Sequence, residues 1–313
     1  MLLYKKEQQV CDIGGLRVGG QPGENPPLLV GNMFQKGDAL LKSRKHGEFD
    51  RREAEVRIRE LETVCQETGV PGMVALVANT ADEIKGYIDF LTSVTDLPFA
   101  IDIWQLKTRL AAARYVAELG LQERVLYNSI TPWDEDTASQ VSELKELGIK
   151  HVVIQVFDTN DKTAAGRVSS LKELLPLVQE GGFASTLVDT AAMNLPAMSL
   201  SMKANHLIKS EFGLPVGFAP SNGSYMWRKS AEGESKKQFP AVDAGAHAVC
   251  GLLSDFLFYG PMSGTSRVFA AVSAASAMTA ALAYEETGTL PSGSHPLSRM
   301  FPDVLEQFRK EQR

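Results

Sequence analysis

The residues whose types and spacing could do chemistry in this chain are acids and carboxamides that close apolar runs. Across 98–130, PFAIDIWQ, a helical segment and RVLYNSI read as strand, helix, strand, with Asp102 and Asn128 as the polar residues at the strand ends. In a parallel βα protein the carboxyl ends of the strands form the active-site floor, so the acid and the amide face one cavity. A carboxylate accepts two N–H bonds side by side, and a carboxamide both donates and accepts, so the pair suits a flat hydrogen-bonding heterocycle. The same pattern recurs at Asn32, Asn79, Gln155 with Asp158, Asp189 and Asn222. For each residue alone there is a plainer reading, with Asp102 capping the following helix and Asn128 shaping a turn. Thiols and imidazoles are missing from these strand ends, so the expected chemistry is hydrogen-bonding and electrostatic, without a protein nucleophile.

The elements that must position these residues alternate regularly. Helical periodicity over 51–68, 81–94, 108–119, 137–147, 168–179 and 197–212 leads each time to an apolar run, at 73–78, 99–103, 125–129, 151–157, 185–189 and 215–219. A helix over 242–256, a strand over 257–259 and an Ala-rich helix over 266–285 complete the series. The strands are continuous apolar runs, as expected when helices cover both faces. With 28–33 as the first strand there are eight, which predicts an α/β fold of the (β/α)8 TIM-barrel class, one domain over 1–313. Gly69, Gly120, Gly148 and Gly213 stand just before strands, where helices end on left-handed caps. Residues 10–20 predict an N-terminal hairpin that plugs the amino end of the barrel, and 302–313 a charged terminal helix.

Composition excludes several classes. The chain has 313 residues and a formal charge of −6, and its basic residues are scattered apart from short clusters such as 42–45, so no nucleic-acid partner is expected. Cys11, Cys65 and Cys250 are odd in number and far apart, which argues against a disulfide framework and for a reduced, cytoplasmic setting. No signal peptide is apparent. The apolar stretch 268–284 is short for a membrane span and reads as a buried helix, in the barrel wall or at a subunit interface, so no membrane partner is expected. There is no C-x-x-C, H-E-x-x-H, G-x-S-x-G, Walker A or G-x-G-x-x-G spacing, and no metal site is expected. His247 reads as a packed helix residue, and Ser263 to Ser266 as an N-cap or an anion site. The polar segment 223–240 predicts a long loop, in which Tyr225, Met226 and Trp227 could cover a planar ligand and Arg228 and Lys229 attract carboxylates, unless it is merely solvated.

The runs VGGQPGENPPLLVGNMF, GYIDFLTSVTDLPFAID, GLQERVLYNSI, LVDTAAMNLP and KSEFGLPVG, spread over most of residues 10–220, resemble the H-subunit family of tetrahydromethanopterin S-methyltransferase. That family includes soluble bacterial relatives that move a methyl group between a corrinoid and tetrahydrofolate. The layout is similar, more distantly, to pterin-binding barrels such as dihydropteroate synthase. The resemblance implies that Asp102, Asn128 and Asp189 bind the pterin; Asn32 and Gln155, from their strand-end positions, are expected to bind it beside them. It also implies that Asn222, in APSNGSY, lies near the pterin N5 and, with Asp189, is catalytic. The implied reaction moves a methyl group from methylcobalamin or a methylated corrinoid protein to N5 of tetrahydrofolate. The corrinoid signature D-x-H-x-x-G is absent, so the corrinoid is expected as a methyl donor that is not permanently bound, free or on a carrier protein. A homodimer is expected from the family and the Ala-rich helix. The alternatives are tetrahydromethanopterin as acceptor, a pterin-condensing synthase, and a non-catalytic subunit that docks a corrinoid protein.

Overall fold

The computed structural model describes residues 3–43, 47–291 and 293–311. Positions 44 and 45 of the basic cluster, 292 of the Gly/Pro/Ser loop and 312–313 of the expected terminal helix lie outside them.

Eight parallel strands close into a barrel. They are β3 (Leu28–Met33), β6 (Gly72–Leu76), β7 (Phe99–Asp102), β8 (Val125–Ile130), β9 (His151–Gln155), β10 (Ser185–Asp189), β11 (Val216–Phe218) and β12 (Phe256–Pro261). The closed order runs β10-β11-β12-β3-β6-β7-β8-β9, the arrangement of a (β/α)8 TIM barrel. The helices between strands are α1 (Arg51–Thr68), α2 (Ala81–Val94), α3 (Leu106–Glu118), α4 (Thr137–Glu146), α5 (Ala164–Glu180) and α6 (Met198–Phe212). After β11 come α7 (Pro220–Ser230), α8 (Gly233–Lys237) and α9 (Phe239–Gly251), and after β12 α10 (Thr265–Thr287), α11 (Pro296–Met300) and α12 (Pro302–Glu311).

The pleat sorts each strand into two cores. Leu28, Val30, Met73, Ala75, Ala100, Leu126, Val153 and Leu187 fill the barrel interior, while their neighbours Leu29, Val74, Ile101, Tyr127, Val152 and Val188 pack outward under the helices. The predicted hairpin is present as β1 (Val10–Ile13) and β2 (Leu16–Gly19), and Cys11, Ile13 and Val18 join the inner core. Its turn meets Pro98 and the Glu123 carbonyl at Gly14, so it lies against the segments leading into β7 and β8, at the amino end of the barrel.

Four expectations need correction. Residues 223–240 are not a loop. Pro220 opens α7 at a first-turn position that tolerates its missing N–H, and a β-carbon on Gly223 would come within 2.6 Å of Met198 Cε and 2.7 Å of the Asn194 backbone. The glycine that reads as a loop former is thus a close helix contact. Helix α9 covers Phe239–Gly251 instead of the predicted 242–256, because Pro240 sets its first turn and the chain must leave at Leu252 for Phe256 to pair with Gly217. Helix α5 starts at Ala164, four residues before the predicted 168, with Thr163 accepting from the Gly166 N–H. Helix α10 has Gly264 as its N-cap and therefore no side-chain cap, while the Thr265 hydroxyl donates to the Met262 carbonyl. A small hairpin of β4 (Leu41–Ser43) and β5 (Glu48–Phe49) was not foreseen from the sequence.

Candidate active site

The inward pleat explains why acids and carboxamides meet. Asn32, Asp102, Asn128, Gln155 and Asp189 each stand two residues beyond an inward core residue, so all five continue the interior face above the apolar packing. Asp102 is in register with Asn128, and Gln155 with Asp189. The β8–β9 register shifts between Asn128 and Ile130, a bulge at the level of the site.

Asp102 is the hub. Its Oδ2 accepts from Asn32 Nδ2 at 2.5 Å and its Oδ1 from Asn128 Nδ2 at 3.0 Å. Three strands are thereby joined by one carboxylate. Each carboxamide keeps a second N–H and a carbonyl oxygen for a ligand. Burial pushes the Asp102 carboxyl above the ordinary carboxylate range, against the opposing pull of those two donors and of Arg109. Asp189 is more deeply enclosed, 4% exposed. Burial first, then the Asp102 charge, raise its carboxyl to about 7, despite an Ala191 N–H donating to Oδ1 at 2.7 Å and the Arg167 charge. An acid on the cavity floor that titrates near neutrality is a group able to take or give a proton.

The loops above these residues are held by two buried arginines. Arg109 donates to the Ile103 carbonyl at 2.8 Å and to Asp134 at 2.7 Å, and Asp134 in turn accepts from the Thr131 N–H at 3.1 Å. The loops after β7 and β8 are thus tied together through one ion pair. Arg167 donates to the Thr190 and Ala191 carbonyls, at 2.5 and 3.0 Å, and fixes the turn after Asp189. Among the described residues, the non-glycines at positive φ are Phe34 at 67° and Ala191 at 47°, each two positions after a site residue, Asn32 and Asp189. Such conformations persist only where the surroundings hold them, and the Asp38 carboxylate, accepting from the Phe34 N–H, and Arg167 do so here.

These groups line one open cavity of about 780 Å³. Asn222 lines it, exposed on the otherwise buried first turn of α7, so all six predicted residues share one space. Helix α7 is anchored from behind: Ser221 donates to the Phe258 carbonyl at 3.0 Å, and Ser224 to the fully buried Asp243 at 2.6 Å. Asp243 also accepts from Arg267 at 2.8 Å, and His247 packs beside it, as expected of a helix residue.

Other sequence candidates do not join. Asn79 lies three residues past the end of β6 and is taken up by Glu83, whose carboxylate accepts its backbone N–H at 2.7 Å. Asp158 is out of phase with Gln155 and accepts from the Asn160 N–H at 2.7 Å in its own turn. Tyr225, Met226 and Lys229 line the cavity, but the Arg228 guanidinium lies 4.6 Å over the Phe239 ring instead. Sequence reasoning missed Trp104, Trp133, Lys36 and the arginines. Arg109 carried a readable signal, a lone charge on the small, buried face of α3 beside Ala112 and Ala113.

Comparisons with known proteins bear on this geometry. The family model described as tetrahydromethanopterin S-methyltransferase MtrH subunit matches residues 6–291. The H subunit of tetrahydromethanopterin S-methyltransferase from Methanothermobacter thermautotrophicus is 30% identical over 312 residues, covering 96% of this chain and the whole of that protein. The protein of the same name from Methanopyrus kandleri is 32% identical over 314 residues, covering 93% of this chain and 97% of its own. Among solved structures, Xanthomonas albilineans dihydropteroate synthase shares the fold at 14% identity and a TM-score of 0.61, over 87% of this chain and 99% of that one. With a family model spanning nearly the whole chain and relatives matched along their full length, this chain belongs to the MtrH family of methyltransferase subunits.

Proposed function

We propose that the chain transfers a methyl group between a methylcorrinoid and N5 of tetrahydrofolate. The observation that carries this reading is the Asp102 carboxylate gripped by Asn32 and Asn128 on the floor of the cavity, with Asp189 beside it. A reduced pterin presents ring N–H groups and a carbonyl along one edge, which match a carboxylate flanked by carboxamides. In the forward direction the N5 lone pair forms the new C–N bond to the methyl carbon. The cobalt–carbon bond breaks with its electron pair left on the metal as cobalt(I), and the N5 proton departs. The chain's share is alignment and proton handling. Asp102 with Asn32, Asn128 and Gln155 orients the ring, and alignment of three atoms in a line supplies much of the rate. Asp189, near neutrality, accommodates the proton change, and Asn222 at the mouth follows N5 as it changes from donor to acceptor.

The corrinoid enters as a substrate, free or on a carrier protein that meets the carboxyl face of the barrel. Lys36 and Lys229, both exposed at the cavity, suit an acidic substrate tail such as the glutamate of folate. Tetrahydromethanopterin is the second reading for the acceptor, favoured by the names of the relatives. In this reading the protein works in the cytoplasm as a homodimer through the exposed face of α10 that carries Ala270, Met278 and Leu282. The test is an anaerobic spectrophotometric assay of methylcobalamin with each pterin. Cobalt(I) that appears only with chain and tetrahydrofolate supports the proposal; appearance with tetrahydromethanopterin alone moves the acceptor. A chain that binds pterin yet turns over with neither free nor protein-bound corrinoid is a docking subunit.

A further inference from the structure

Two tryptophans stand at the cavity where exposed aromatic surface is least expected. Trp104 is 77% exposed and Trp133 42% exposed, and both line the cavity. Their rings stack on each other, centroids 6.0 Å apart and planes 24° from parallel. That spacing leaves no room for a third ring between them, so the pair forms one continuous aromatic wall. It is also rigidly mounted. Arg109, itself 2% exposed, donates to the Trp104 carbonyl at 3.1 Å and to Asp134, the residue after Trp133, at 2.7 Å. A buried ion pair that fixes the backbone carrying two exposed indoles keeps apolar surface in water at a cost, and such surface marks a binding site.

The position of the wall selects its occupant. Trp104 follows Asp102 by two residues and Trp133 follows Asn128 by five, so the wall rises from the same two strands that grip the proposed pterin edge. A flat head gripped by its polar edge at Asp102 and Asn128 carries its substituent on the far ring, so the substituent leaves upward toward the cavity mouth, where the exposed indoles stand. We infer that Trp104 and Trp133 form a stacking subsite for the aryl ring carried by an arylamine-substituted tetrahydropterin. The inference rests on the pterin reading above but not on the choice between folate and methanopterin, since both carry an arylamine. It assigns recognition to two places: the floor reads the pterin edge, and the wall reads the arylamine.

The test compares two ligands on the full chain without corrinoid, by anaerobic calorimetry and quenching of tryptophan fluorescence. Tetrahydrofolate carries the aryl ring; 6-methyltetrahydropterin keeps the pterin and lacks it. Trp104→Ala and Trp133→Ala should each weaken tetrahydrofolate by about three- to tenfold, the range of an aromatic stacking contact, and leave 6-methyltetrahydropterin within about twofold. Trp104→Phe should restore most of the loss. Because Trp104 is 77% exposed, its truncation leaves the core intact, and a thermal melt checks that each variant is folded. Equal weakening of both ligands, or of neither, would overturn the subsite. A raised KM for methylcobalamin with unchanged tetrahydrofolate affinity would give the wall to the methyl donor and overturn it too. Failure of the unmodified chain to bind either pterin would instead sink the pterin reading itself.

Discussion

Replacing Asp189 by Asn should make the fold more stable at pH 8 than at pH 5, relative to the unmodified chain. Its carboxyl rises from the ordinary 3.8 to about 7, chiefly through burial. Between those values the folded chain keeps a proton that the unfolded chain has lost, so stability falls as pH rises through the window. The slope for one group is about 1.4 kcal/mol per pH unit, which gives a penalty of about 4 kcal/mol above pH 7 and about 3 kcal/mol less than that at pH 5. At 4% exposure, solvent does little to screen it. The amide keeps an oxygen for the Ala191 N–H, but its new NH2 group costs about 1–3 kcal/mol if nothing accepts from it. Asp189→Asn should therefore gain about 1–3 kcal/mol at pH 8 and lose most of that advantage, or fall behind, at pH 5. Urea unfolding of both proteins at the two pH values reads the difference directly. A gap between variant and parent that stays constant within about 0.5 kcal/mol would refute the raised carboxyl.

Asp102→Asn should weaken pterin binding by about tenfold or more, the worth of a charge-assisted hydrogen bond, and calorimetry showing unchanged affinity would remove the carboxylate cradle. Asn222→Ala should lower kcat for methyl transfer more than it lowers pterin affinity; equal losses in steady-state and binding measurements would make it a ligand only. Asp134→Ala leaves Arg109 buried without its partner, Arg109 being 2% exposed, and should cost about 3–5 kcal/mol in denaturant unfolding. Retention of full stability would mean that water reaches the guanidinium.

The barrel was legible because its signal is repetitive: eight apolar runs, the last seven each preceded by helical periodicity. The site was legible for a narrower reason. Asn32, Asp102, Asn128, Gln155 and Asp189 lie on strands in phase with the interior, so strand position alone fixes their direction. Asn79 and Asp158 have the same chemistry but lie past the last paired residue, where local turns decide, and Glu83 and Asn160 claim them. Helix α7 was hidden because Gly223 and its serines look like loop residues, whereas Gly223 lets α7 meet the segment before α6 and Ser221 and Ser224 bond to Phe258 and Asp243. The tryptophan wall depends on Arg109 reaching across two loops to Asp134, a long-range contact that no local pattern announces.

The hairpin at the amino end has a kinetic consequence. With Ile13 and Val18 fully buried against the interior core, the barrel is stoppered at one end, and traffic to Asp102 passes through the other. A chamber with a single doorway imposes a queue. The reactant that lies deepest must enter first and leave last, and a bulkier second reactant over the doorway traps it until the exchange is over. Two-substrate turnover on this chain should accordingly follow compulsory order, and product-inhibition patterns of a random mechanism would show a second way in.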